Sequence, residues 1–70
     1  MTAENASVLA IREKLARAYA EGEAEGYAAS PNALPDFFYK PYINWTAHQR
    51  GYIFGKGLAR YEWERDNPVP

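Results

Sequence analysis

The 70-residue chain contains no cysteine and only one histidine, His48. The absence of cysteine excludes disulfide bonds and thiolate metal sites, and one histidine is too few for a typical structural zinc site. A domain this small buries only a modest core and often depends on disulfide bonds or a bound metal for stability. We therefore expect no metal and no cofactor. We expect stability to come from aromatic burial, self-association or docking on a partner.

Long apolar runs and catalytic motifs are also missing. No run reaches the length that spans a membrane, and the N-terminus lacks the basic-then-apolar layout of a signal peptide. These features predict no membrane association and a cytoplasmic location. No P-loop, dinucleotide fingerprint or nucleophile motif occurs, and nothing fixes His48 beside Glu62 or Asp36 as an acid–base pair. We therefore expect no enzyme activity.

A third absence is local, because residues 37–61 contain no aspartate or glutamate. The whole chain has a net charge of −1, yet this stretch carries four basic residues and most of the aromatic rings. Residues 1–36 have a net charge of −3 and residues 62–70 a net charge of −2. The overall charge argues against nonspecific nucleic-acid binding, whereas the local +4 is compatible with a specific anionic partner. The alternative interpretation is a solvated basic face that only confers solubility.

A first helix is predicted over residues 6–29, where apolar and small residues recur at spacings of three and four. Residues 1–5 are expected to be frayed. Gly22 and Gly26 are unusual inside a helix, because each costs roughly 1 kcal/mol relative to alanine. Either the helix ends near Gly22, or these glycines allow another backbone to come close.

The middle of the chain, residues 30–44, is predicted to be an ordered connector. Pro31, Pro35 and Pro41 exclude a long helix there. The segment also carries four aromatic rings and little glycine or serine, so it is not a flexible linker. We expect its rings to fold back onto the helices.

A second helix is predicted over residues 46–64, followed by a tail at 65–70. Thr46 and Gln49 have the spacing of a capping box. The predicted fold is a single all-α domain of two antiparallel helices joined by the Pro- and aromatic-rich connector. The residues assigned to helix packing are Gly22, Gly26, Gly51, Gly55, Phe54 and Leu58. Phe37, Phe38 and Trp45 are assigned to the core together with Phe54.

Residues 16–61 resemble the ribosome modulation factor family. The matching elements are the first helix "ARAYAEGEAEGYAAS", the Pro41–Tyr42 pair, and the second helix "RGYIFGKGLA", in which Tyr52, Gly55 and Ala59 follow at about the family's spacing. Members are small bacterial proteins with two helices and an extended connector that bind the small ribosomal subunit and help to inactivate ribosomes in stationary phase. The resemblance implies binding to the ribosome or its RNA and down-regulation of translation. Family members tend to be basic, whereas this chain is slightly acidic.

Two functional hypotheses follow from these observations. In the first, the protein binds ribosomal RNA, as basic side chains contact phosphates and aromatic rings pack or stack on unpaired bases. The candidate phosphate contacts are Lys40, Arg50, Lys56 and Arg60, and the candidate stacking residues are Tyr42 and Tyr52. In the second, the chain is a small protein-interaction or self-associating module that buries its aromatic connector against a protein partner or a second copy.

Overall fold

The computed structural model describes residues 3–29 and 33–68, with side chains from Ala6 onward. Helix α1 spans Ala3–Ala28 and helix α2 spans Ala47–Asp66. Two short 3-10 helices, Asp36–Tyr39 and Tyr42–Asn44, form the connector between them. The described residues contain no strand, so the predicted all-α class, the two helices and the ordered connector are confirmed.

The helix ends follow local sequence signals, with small differences from the predicted bounds. Helix α1 begins at Ala3, inside the segment expected to be frayed, and residues 1–2, 30–32 and 69–70 lie outside the described part of the chain. The predicted capping box is present, because the Gln49 amide donates to Thr46 Oγ1 (3.1 Å) and the Thr46 amide donates to Gln49 Oε1 (2.9 Å). Together these two bonds satisfy backbone amides that the first turn of α2 would otherwise leave unpaired.

Helices α1 and α2 run in the same direction. Their closest pairings are Gly22 with His48, Gly26 with Tyr52, Gly51 with Tyr19 and Gly55 with Glu23. The partner number on α2 rises as the number on α1 rises, which corrects the predicted antiparallel orientation. A short connection usually makes neighbouring helices antiparallel, but a long crossover permits a parallel pair. The eighteen residues from 29 to 46 are such a crossover and carry the chain back along α1.

The four paired glycines bring the two backbones into direct contact. An added Cβ at Gly22 would overlap the carbonyl oxygen of His48, and each of the other three glycines faces a carbonyl of the opposite helix in the same way. The Cα hydrogens therefore point at main-chain oxygens, a weak hydrogen bond worth roughly 0.5–1 kcal/mol. Helix α1 continues through Gly22 and Gly26, so close backbone approach, and not helix termination, explains these glycines.

The pairing also sets a large offset between the helices. The residue numbers in the four glycine pairs differ by 26 or 32, with a mean of 29. On average, each residue of α1 therefore lies level with the α2 residue whose number is 29 higher. Helix α2 therefore begins beside residue 18 of α1, and α1 ends beside residue 57 of α2. As a result, the first half of α1 extends beyond the start of α2 at one end of the molecule. The last part of α2 extends beyond the end of α1 at the other end.

This staggered pair has an elongated shape and no closed apolar core. Its principal extents are 58 × 25 × 16 Å and its radius of gyration is 15.5 Å, against about 11 Å for a compact chain of this length. Its accessible surface is 5674 Å², whereas a compact protein of this mass exposes about 4,500 Å². Within the described residues, no large apolar side chain is fully buried.

The absence of a closed core corrects the assignment of several rings. Phe54 is 49% exposed, and its ring centroid lies 6.1 Å from that of Tyr19. Phe38 is also exposed, whereas Phe37 and Trp45 are half-buried. Among the described helices, none is long and apolar enough to cross a membrane.

Candidate macromolecule-binding surface

The connector folds around the indole ring of Trp45. The ring centroids of Phe37, Phe38 and Tyr42 lie 5.2, 5.8 and 5.3 Å from that of Trp45. Phe37 also meets Tyr52 of α2 edge-on, with centroids 6.0 Å apart. Edge-on and tilted ring pairs of this kind contribute beyond simple area burial. The indole nitrogen donates to the Lys40 carbonyl at 3.0 Å, which fixes the turn between the two 3-10 helices.

Arg50 clamps the connector to the start of α2. Its Nη2 donates to the carbonyl oxygens of Tyr42 (3.3 Å) and Ile43 (3.4 Å), and its guanidinium lies 4.5 Å from the centroid of the Tyr42 ring. These contacts satisfy carbonyls in the second 3-10 helix and add a cation–π interaction. Arg50 therefore has a structural role in the connector, and its contact with phosphate stays a prediction.

Two other predicted RNA contacts are also turned inward. Lys56 is only 7% exposed, so its ammonium does not lie on the surface where a phosphate would dock. Tyr52 is half-buried, its ring meets Phe37, and its carbonyl lies against Gly26. Both residues belong to the packed part of the molecule, because they lie on the helix that the glycine contact draws against α1.

The remaining predicted contacts, Lys40, Tyr42 and Arg60, stay exposed. Arg60 pairs with Glu64 one turn later at 3.0 Å, and both side chains are largely solvated, so the pair contributes little stability. Lys40 lies beside Gln49 near the start of α2, and Arg60 follows Gln49 by eleven residues, about 16 Å of helix. The two exposed cations therefore do not form one patch.

The most exposed rings and aliphatic side chains lie together in the connector. Tyr39 is 81% exposed and Ile43 80% exposed, and Lys40 and Tyr42 between them are exposed as well. We call these four residues the connector surface. It lies within the acid-free stretch, and the Trp45 and Arg50 contacts hold it in place. An apolar and aromatic surface with one lysine can stack on bases or pack on a protein.

A groove beside the connector surface extends it onto α1. Its volume is about 770 Å³. The lining residues are Leu15, Ala16 and Tyr19 of α1, Tyr42 and Trp45 of the connector, and Thr46, Ala47 and Arg50 at the start of α2. The groove forms because α2 begins only beside residue 18, which leaves Leu15 uncovered (52% exposed). Arg50 Nε is buried and has no hydrogen-bond partner among the described residues.

Two polar contacts between the helices were not predictable from sequence spacing. The His48 ring nitrogen Nε2 lies 2.5 Å from Glu25 Oε2, so the histidine pairs with neither Glu62 nor Asp36. The Tyr27 hydroxyl donates to Glu62 Oε2. This hydrogen bond, and then the charge of Glu62, raise the pKa of Tyr27 above its ordinary value of 10.0. Both contacts require the parallel offset, which the sequence pattern did not indicate.

Comparisons with known proteins leave the site to be interpreted from its own geometry. No protein-family model, no curated protein and no solved structure matches this chain. Across residues 3–29 and 33–68, no three His, Cys, Asp or Glu side chains cluster in a way that could hold a metal ion.

Proposed function

We propose that the protein binds the ribosome in the manner of a modulation factor, through the connector surface, and so down-regulates translation in the cytoplasm. The observation that carries this proposal is the exposed, acid-free connector surface of Tyr39, Lys40, Tyr42 and Ile43. Exposed rings beside a lysine match the way in which unpaired RNA bases are held by stacking and phosphate contact. The family resemblance supports the same function, since the glycines and the Pro41–Tyr42 pair that carry it also build the scaffold.

The structure supports a weaker salt dependence of RNA binding than the four basic residues of the acid-free stretch would suggest. Arg50 is engaged with the connector carbonyls and Lys56 is covered, so Lys40 and Arg60 are the accessible bases of the acid-free stretch. Lys40 is the one base of the connector surface, and a single phosphate contact on single-stranded RNA gives a slope of about −0.7 in log K against log salt. Stacking by Tyr39 and Tyr42 supplies most of the affinity, at about 1–3 kcal/mol for each base.

Co-sedimentation with purified ribosomes over a salt series tests this function. We expect binding that weakens only gradually with salt. We expect it to be lost in a Tyr39→Ser/Tyr42→Ser variant and weakened by Lys40→Glu. Lys14→Glu is the matched control, because it reverses one exposed lysine outside the connector. Absence of binding at low salt, or equal loss with Lys14→Glu, would exclude the connector surface as the ribosome contact.

A second candidate function is docking on a protein partner, which the groove favours. The groove is continuous with the connector surface through Tyr42 and is lined mainly by apolar and aromatic side chains. A partner helix or loop that enters it would cover Leu15, which the fold leaves exposed. In this case Leu15→Ser abolishes partner binding while Lys40→Glu has little effect, the reverse of the order expected for RNA.

A further inference from the structure

The face of α1 that packs on α2 continues toward the N-terminus as a bare apolar stripe. At about 100° per residue, Val8, Ile11 and Leu15 fall within an arc of about 60° on α1. The same arc contains Gly22 and Gly26, which lie against α2. The three apolar side chains are exposed, Ile11 at 59%. We call these three residues the α1 stripe.

Helix α2 does not reach the α1 stripe, because α2 begins only beside residue 18. The part of α1 before that point, residues 3–17, is about 22 Å long. A stripe that is packed along half of a helix and bare along the other half is a helix-pairing surface that lacks a partner. A partner helix of about fifteen residues would cover it and would end at the groove beside the start of α2.

Basic side chains flank the α1 stripe on both sides. Arg12 lies about 40° beyond one edge of the stripe, and Lys14 lies about 60° beyond the other edge. Both side chains are exposed. Glu13 is the only acidic residue among residues 6–17, and it lies about 170° from the middle of the stripe. This face of α1 is therefore apolar in the middle and positive at both edges.

The groove continues the α1 stripe and has the same charge character. Leu15 belongs to both, and Ala16 and Tyr19 follow it along α1 in the groove lining. Arg50 is the one charged residue of that lining, which contains no aspartate or glutamate. The contacts of Arg50 in the connector are with neutral groups, namely two carbonyl oxygens and the ring of Tyr42. The lining thus offers apolar walls and a positive charge to an occupant.

We propose that the α1 stripe and the groove bind an amphipathic α-helix of a partner protein, with aspartate or glutamate on both sides of its apolar stripe. In the complex this helix takes along residues 6–17 the position that α2 takes along residues 18–28. Its apolar side chains cover the α1 stripe and its carboxylates lie beside Arg12 and Lys14. This inference rests on the second candidate function, docking on a protein partner, and names the chemistry of that partner.

A second copy of this chain fits the surface less well than an acidic partner. Pairing of two α1 stripes would bring Arg12 and Lys14 of both copies together, which is a like-charge contact. The acidic end of α2 is already engaged, because Glu62 accepts a hydrogen bond from Tyr27 of the same chain. A separate helix with acidic flanks meets neither obstacle.

Fluorescence anisotropy with labelled synthetic peptides tests this inference. The acidic probe is an alanine-based helical peptide of about eighteen residues, with leucine at positions i, i+3, i+4 and i+7 and glutamate on both flanks. The basic probe has lysine in place of each glutamate. We expect the acidic probe to bind at least about fivefold more tightly than the basic probe at low salt, and the difference to shrink at high salt.

Substitutions on α1 locate the binding surface. Ile11→Ser removes the middle of the α1 stripe and should weaken binding of the acidic probe at least about tenfold. Arg12→Glu should weaken it about three- to tenfold. Arg17→Glu is the matched control and should change the affinity less than about twofold, because it reverses the same charge about 150° from the middle of the stripe. All three side chains are exposed, so far-UV circular dichroism should show wild-type helix content.

The possible outcomes separate this inference from the proposed functions. Equal binding of the two probes that is lost in Leu15→Ser would keep the groove as a protein-docking site and overturn the acidic partner. Equal weakening by Arg12→Glu and Arg17→Glu would also overturn it. Binding of neither probe up to about 1 mM, together with binding to phosphatidylglycerol vesicles, would assign the stripe to a lipid surface instead. Ile11→Ser should still co-sediment with ribosomes, because ribosome binding uses the connector surface.

Discussion

Replacing Gly22 with alanine tests whether the glycine contact holds the two helices together. On helix propensity alone, alanine should stabilise a helix interior by roughly 1 kcal/mol relative to glycine. At Gly22, however, the added Cβ would overlap the His48 carbonyl oxygen and lie 2.9 Å from its carbonyl carbon. Carbon atoms pack at about 3.5–4.0 Å, so the backbones would have to separate by about an ångström.

The net effect of Gly22→Ala is a loss of stability. Overpacking of a close contact costs about 1–3 kcal/mol, and separation also weakens the other glycine contacts, each worth roughly 0.5–1 kcal/mol. After subtraction of the propensity gain, we expect a net loss of about 1–2 kcal/mol. For a domain of this size that loss lowers Tm by about 4–16 °C.

Gly57→Ala is the matched control in the same assay. Gly57 is an exposed glycine inside α2, and an added Cβ there would meet nothing within 4 Å. Alanine at this position should therefore stabilise the protein by roughly 1 kcal/mol. Thermal unfolding followed by far-UV circular dichroism compares the two variants directly. A Tm for Gly22→Ala that rises as much as that of Gly57→Ala would refute the proposed backbone contact.

Two further predictions concern polar contacts. Arg50→Ala should lower the free energy of unfolding by about 1–2 kcal/mol in urea titrations, because it removes hydrogen bonds to two connector carbonyls and the contact with Tyr42; an unchanged value would argue against the clamp. Tyr27 should ionise above the ordinary tyrosine pKa of 10.0 in an ultraviolet absorbance titration, and Glu62→Gln should lower the pH at which it ionises. Because the pKa of Tyr27 is raised in the folded state, its contribution to stability is present below pH 10 and is lost as the pH rises above that value.

Much of the local structure was predictable from the sequence. The helix periods, the three prolines of the connector and the Thr46–Gln49 spacing each act over a few residues, so they identify the elements and their approximate ends. The four-residue spacing of the glycines on each helix also indicated that the two helices pack closely. These signals are local, and the structure agrees with them.

The relative direction of the two helices and the inward position of the basic side chains were not predictable in this way. Gly22 and Gly26 can face Gly51 and Gly55 in either orientation, because the glycines are spaced by four on both helices. Only the return path of the connector decides between the two orientations. The inward position of Arg50 depends on that path too, because the connector carbonyls that it contacts lie 16–17 residues after Gly26 in the chain.

A distance between spin labels tests the parallel, offset helix pair most directly, and both the connector surface and the projecting helix ends depend on it. The chain has no cysteine, so Glu13→Cys/Glu64→Cys provides two unique labelling sites on exposed helix positions. In the parallel pair with a 29-residue offset, residue 64 lies level with position 35 of an extended α1. At 1.5 Å per residue and an interaxial distance of 8–10 Å, the two sites are about 35 Å apart.

An antiparallel pair that kept the same glycines in contact would place residues 13 and 64 side by side, about 10 Å apart. Pulsed electron paramagnetic resonance distinguishes these distances, with dilution into unlabelled protein to remove distances between copies. A distribution centred near 35 Å is the result we expect. A distribution centred near 10 Å would contradict the parallel arrangement and, with it, the groove and the two projecting helix ends.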